Sequence, residues 1–188
     1  MSELWFLLFG IVLCFGLIQE QCYLFIYYTF WSFALEVFYF GLVTMGWGKE
    51  RLQHQLYSII LAPSIVIGLG FWIVIAPTYS WNSPAGNIVM AVVTHGCNMI
   101  ALLSQTQYRT KIRDVWKPVL FTTIYQLFLV LYVGSGGRSI SGKLPYWYAQ
   151  YDVSIGWVYA GLAIVAVGLV HISISMSRGN PMATSHIV

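Results

Sequence analysis

Few side chains in this sequence can do chemistry, and the ones that can are set inside apolar runs. His95 stands in "VVTHGCNMI", and its imidazole has an unperturbed pKa near neutrality, so it can take or give a proton. Thr29 stands in "YYTFWSF", followed at +3 and +7 by Ser32 and Glu36, a spacing that puts all three near one stripe of a helix. Asn98 follows His95 at +3. A threonine hydroxyl is a weak nucleophile until a base within hydrogen-bond reach takes its proton. Polar stripes in an apolar environment turn toward one another or toward a wet cavity.

Each of these residues also has a plainer use. A helical threonine usually bonds the carbonyl four residues back, and an intramembrane histidine can serve as an interhelical hydrogen bond. Glu36 is either protonated and structural or part of a polar pocket. The aromatic run "CYLFIYYTFWSF" reads as packing and interfacial belt, not as a cofactor box. His95 and His171 lie roughly 17 Å apart in depth by helix rise, too far to sandwich one haem iron. Cys14, Cys22 and Cys97 have no metal-ligand spacing, and their odd number argues against a disulfide framework. The sequence therefore implies no cofactor and no metal. A transporter or proton path through Glu36 and His95 is disfavoured, because the polar positions do not continue to the inner face.

The elements that must position these residues are membrane helices. Apolar residues make up 59% of the 188 and charged residues only 8%, against roughly 25% charged in soluble domains. A soluble fold would need a more polar surface, and a net charge of +3, scattered along the chain, does not suggest nucleic acid. Crossing about 30 Å of hydrocarbon takes roughly 20 helical residues. The expected fold is all-α, a polytopic helical bundle with spans near 4–18, 22–47, 56–76, 88–104, 118–133 and 153–174. The first is short, and the second is long enough to tilt or project. Period-2 alternation with regular turns is absent, which disfavours a barrel. There is no internal repeat and no linker, so 1–188 reads as a single domain. "MSELWFLLFG" lacks a basic n-region and reads as part of the mature chain. Lys49, Arg51, Arg109, Lys111, Arg113, Lys117 and Arg178 fall on one side of this six-span arrangement, and only Arg138 and Lys143 on the other. That imbalance puts both termini on the cytosolic side, or on the matrix side in a mitochondrion.

Counted from these span starts, Thr29 and His95 each lie seven residues in, at a matching depth of roughly 10 Å. "YYTFWSFALEVFYFG" and "VVTHGCNMI" also resemble the androgen-induced-gene/FAR-17a family of multi-pass membrane proteins, whose hallmark is a Thr in a "TF" helix and a His in an "HG" segment two spans later. The likeness continues through "LAPSIVIGLGFWIVIA", similar to that family's third span, and reaches "GKLPYWYAQYD". It covers most of residues 25–160.

The resemblance implies an intramembrane hydrolase of lipid esters, of the type that cleaves fatty-acid esters of hydroxy fatty acids. Carried over to this sequence, Thr29 would be the nucleophile and His95 the base; the polar stripes themselves put Ser32, Glu36 and Asn98 in the substrate pocket, where Asn98 or Ser32 could help hold the oxyanion. No third carboxylate orients His95, and Glu36 is about 10 Å deeper than Thr29. The alternative is a non-catalytic structural subunit of a large membrane complex, such as a respiratory or ATP-synthase assembly, derived from that family. Partners would be membrane lipids, a lipid ester substrate and, in the alternative, other subunits. The location is an integral, multi-pass one, and the sequence leaves endoplasmic reticulum or plasma membrane against mitochondrial inner membrane open.

Overall fold

A computed structural model of the chain describes residues 2–20, 25–78, 85–105, 108–139, 142–146 and 154–179. These residues are all-helical, in six rods. The first two rods are α1 (Ser2–Glu20) and α2 (Tyr28–Thr44). The third is α3 (Glu50–Gly70), prolonged by a π-helical turn (Phe71–Ile75) and a 3₁₀ turn (Ala76–Thr78). The fourth is α4 (Ala85–Val92), a second π-helical turn (Val93–Cys97) and α5 (Asn98–Leu103). The last two are α6 (Trp116–Gly134) and α7 (Ser154–Gly179). Among the described residues three stretches are long and apolar enough to cross a membrane: Glu50–Ile75, Ile112–Gly134 and Gly156–Ser177, with mean hydropathies of 2.4, 1.4 and 2.0. Ser2–Ile18 and Asn87–Leu103 are shorter apolar helices.

The second rod differs from its expected span of 22–47. Residues 25–26 form a 3₁₀ turn, Tyr27 is extended, and the helix runs only from Tyr28 to Thr44. Aromatic and β-branched residues are mediocre helix formers, and here tertiary bonds hold the chain out of a helix. The Trp31 indole donates to the Phe25 carbonyl at 2.7 Å, and Tyr125 donates its hydroxyl to the Ile26 carbonyl at 2.7 Å. The first helical N–H, that of Tyr28, donates to the Tyr146 hydroxyl at 2.9 Å, which caps a helix that has no capping side chain of its own.

Glycines end two of the rods by one device. After α2, Gly46 takes φ +64°, its N–H bonds the Val43 carbonyl, and Trp47 N–H bonds the Leu42 carbonyl at 2.9 Å. After α6, Gly136 takes φ +88°, bonding Val133, and Gly137 N–H bonds Tyr132 at 2.8 Å. Both are Schellman stops, which need a residue tolerant of positive φ. Gly46→Ala and Gly136→Ala are each expected to cost about 1 kcal/mol, read as a drop of about 2–4 °C in melting temperature.

α3 is the hub and packs against α2, α5, α6 and α7, while α1 packs on α2 and α6 on α7. The main core joins α1, α2, α3 and the fourth rod through Phe9, Phe33, Phe40, Tyr57, Leu61 and Leu102. A smaller aromatic cluster of Tyr28, Tyr125 and Leu129 joins α2 to α6. The outer surface keeps large apolar side chains exposed, among them Leu7, Ile11, Ile73, Leu131, Leu162 and Leu169. Cys14 is exposed and Cys97 half-buried against the core, while Cys22 lies outside the described residues.

The two ends of the bundle differ in charge. His54 Nε2 donates to the Arg109 carbonyl at 2.6 Å and His171 Nε2 to the Lys111 carbonyl at 3.0 Å. These bonds bring the start of α3, the segment before α6 and the last turns of α7 to one end. Arg138 and Lys143 sit at the other end, in the connection that carries Tyr146.

Candidate active site

Thr29 and His95 line the same space. Two apolar chambers of about 330 and 270 Å³ share five lining residues, Thr29, Phe71, Ile75, His95 and Tyr146. The first is walled by side chains such as Val12, Phe30, Phe33 and Met90. The second lies toward α6 and α7 and is walled by Ile67, Val74, Gln126 and Ala163. The boundary that the two chambers share, their waist, has a threonine, a histidine and a tyrosine among its residues.

The route by which Thr29 reaches this waist differs from the depth count made on sequence. Thr29 is in the first turn of α2, not seven residues into it. Residues 25–27, outside the α-helix, precede it, and Tyr27 joins Pro145 and Tyr146 in lining the chamber. This position has a chemical consequence. Thr94, Thr122 and Thr123 each donate to the carbonyl four residues back, at 2.7, 2.8 and 2.8 Å. For Thr29 that carbonyl belongs to Phe25, lies outside the helix and already accepts from Trp31. Among the described residues the Thr29 hydroxyl makes no such bond, unlike the other three threonines.

His95 sits in the π-helical turn Val93–Cys97, and Phe71 opens the other one, Phe71–Ile75. Such turns are uncommon and concentrate at functional positions. The two rings stack with centroids 4.1 Å apart and planes 3° from parallel. The Trp72 indole donates to the His95 carbonyl at 3.1 Å, fixing the backbone as Phe71 fixes the ring. The Nδ1 atom of His95 is buried and has no hydrogen-bond partner among the described residues. No hydrogen bond joins Thr29 to His95 among the described residues.

Ser32, Glu36 and Asn98 are elsewhere. All three are fully buried, and none lines either chamber. Ser32 donates to Glu36 Oε1 at 3.3 Å, Ser64 of α3 donates to the same oxygen, and the two serine hydroxyls are 3.1 Å apart. Asn98 takes the Met99 N–H on its Oδ1 at 2.7 Å, and its side chain also lies against the Glu36 carboxyl. This sealed polar cluster ties α2 to α3. A carboxyl in apolar surroundings needs such bonds to be tolerated. The plainer reading of Glu36, as a structural group, is the one its contacts fit. His171 is also accounted for by its bond to Lys111 at the far end of the bundle.

Tyr146 was not singled out from the sequence, although it lies in "GKLPYWYAQYD". Its hydroxyl accepts from Tyr28 N–H at 2.9 Å and lies 3.4 Å from Tyr125 Oη. Burial pushes its phenol up from 10.0 to about 12, so it is a protonated donor at neutral pH. The fold binds that proton more tightly than the unfolded chain does. The stabilisation is therefore complete below pH 10.0 and is lost as pH rises toward about 12. Melting curves across that window should fall more steeply for the natural chain than for Tyr146→Phe. Compared with known proteins, the chain matches no family model, no curated protein and no solved structure.

Proposed function

We propose that this chain is an intramembrane hydrolase of lipid esters, with Thr29 as nucleophile, His95 as base and all six rods embedded in the bilayer. The observation that carries the reading is the shared waist: a threonine hydroxyl released from its helix and a clamped imidazole, between two apolar chambers. A long-chain ester branched at the ester carbon places one arm in each chamber and its carbonyl at the waist. The residue resemblance to the androgen-induced-gene family, and the excess of cations at the His54 end, support the same reading. By charge, that end faces the cytosol or a mitochondrial matrix.

In the reaction, Thr29 Oγ attacks the ester carbonyl as His95 takes the hydroxyl proton. The oxyanion formed is met by the protonated phenol of Tyr146, a donor held in place before the charge develops. Collapse of this intermediate breaks the C–O bond, and the proton on His95 leaves with the alcohol. Water, deprotonated by His95, then attacks the acyl-threonine and releases the fatty acid and the free Thr29. Phe71 takes the orienting role that a carboxylate plays in hydrolytic triads.

The test is turnover by the detergent-purified chain on a fatty-acid ester of a hydroxy fatty acid, with products separated by mass. Release of acid and alcohol in equal amounts is expected, and no release above a heat-inactivated control would reject the reading. One observation favours a second reading, a non-catalytic subunit of a membrane assembly: Thr29 and His95 are not hydrogen-bonded to one another. That reading predicts an inert chain, and loss of a larger complex when the chain is deleted.

A further inference from the structure

At the end of the bundle away from the waist, a cleft of about 570 Å³ lies between the first turn of α3 and the segment leading into α6. Arg51, Lys111, Arg113 and Lys117 line it, with Asp114 as its one carboxylate; Glu50 lines a smaller recess beside it. Asp114 is paired with Lys117 at 3.0 Å. No carboxylate lies within ion-pair distance of Arg51, Lys111 or Arg113 among the described residues. Asp114 also feels the charge of Arg113, yet four cations line the cleft with this one carboxylate, an excess that an anion would relieve.

The same cleft continues into an apolar track. Trp116, on its wall, begins a stripe of exposed side chains down α6: Leu120, Ile124, Leu127 and Leu131. Their spacing of three and four residues keeps them on one face, within the Ile112–Gly134 stretch long and apolar enough to span a membrane. A free anion has no use for that track. A molecule with a phosphate at one end and an acyl chain at the other fits both parts.

We infer that this cleft binds the phosphodiester headgroup of an anionic membrane lipid, whose acyl chain lies along the α6 stripe. Arg51, Lys111 and Arg113 contact the phosphate, and Trp116 marks the level where headgroup gives way to hydrocarbon. The inference rests on the membrane residence proposed above and is independent of ester cleavage.

The experiment is native mass spectrometry of the full chain in detergent, with equal amounts of phosphatidylglycerol and phosphatidylcholine of the same acyl composition. Preferential retention of phosphatidylglycerol is expected. Each Lys or Arg near a membrane surface contributes roughly a fivefold factor toward anionic lipid. The double variant R51Q/K111Q should therefore weaken retention by roughly twenty-five-fold, and R113Q alone by roughly fivefold. R138Q/K143Q, at the opposite end, should change nothing, and neither should T29A, which separates this site from the hydrolytic one. Equal retention of both lipids, or retention unaffected by R51Q/K111Q and by R113Q, would overturn the inference. Displacement of the lipid by millimolar inorganic phosphate would overturn it too, by assigning the cleft to a soluble anion.

Discussion

Thr29→Ala lowers turnover of a long-chain hydroxy-acid ester by roughly a thousandfold or more, and His95→Ala does the same. The Thr29/His95 double variant is no worse than either single one, because nucleophile and base act as a unit and their losses do not add. The fall is in kcat, since the two apolar chambers that hold the substrate arms remain. Thr29→Ser keeps the hydroxyl and should retain measurable turnover. Neither alanine change should unfold the chain. Among the described residues the Thr29 hydroxyl makes no hydrogen bond whose loss would leave a buried partner unsatisfied, and the bond from Trp72 goes to the His95 backbone carbonyl, which survives substitution. Circular dichroism and melting temperature check that arm. Steady-state kinetics on the same preparations check the first. Turnover undiminished in both single variants would remove these residues from the reaction.

Gly68→Val is expected to reduce turnover by about a hundredfold without touching the cavity wall, because misplacing a catalytic group by about 1 Å costs that much. Gly68 is buried in α3, directly against the turn that carries the base. A Cβ added there would stand 2.8 Å from the His95 carbonyl oxygen and 3.5 Å from Met99 Sδ. The obstacle is backbone, so no side-chain rotation relieves it, and the fourth rod must move away from α3. That movement strains the Trp72 bond to the same carbonyl and slides the imidazole along the face of Phe71. Overpacking of this kind also destabilises by about 1–3 kcal/mol. A lowered melting temperature with retained helical content, together with the kcat loss, distinguishes displacement of His95 from global unfolding. Gly161→Ala in α7 serves as control, since Gly161 lines neither chamber and a Cβ there meets nothing within 4 Å.

The helical rods were legible because their cause is local: long apolar runs, interrupted by glycine-bearing turns such as "TMGWGK" and "VGSGGR". The i,i+4 relation of Ser32 to Glu36 was legible for the same reason, and the two are bonded. Their partner Ser64 was not, since which face of α3 meets α2 is set by packing between rods. The start of α2 was misplaced because the bonds that halt the helix come from Tyr125 and Tyr146, more than ninety residues away. Neither π-helical turn has a sequence signature. The turn at 93–97 changes the angle between His95 and Asn98, so a spacing of three does not keep Asn98 on the chamber wall. Thr29 and His95 were matched by counting from span ends that are not where the count began. They line one cavity because the 3₁₀ turn and extended residue at 25–27 stand in for the missing first turns of α2.

The central claim is that the Thr29 hydroxyl acts as a nucleophile rather than as a lining group. It is tested most directly by intact-protein mass spectrometry after a brief exposure of the purified chain to a long-chain ester, with fragmentation to locate any adduct. The account predicts a transient mass increase equal to the acyl group minus one hydrogen, mapped to Thr29, absent in Thr29→Ala and slow to form in His95→Ala. An adduct on another residue, or hydrolysis that proceeds at full rate with no acyl-threonine at any time point, would contradict it.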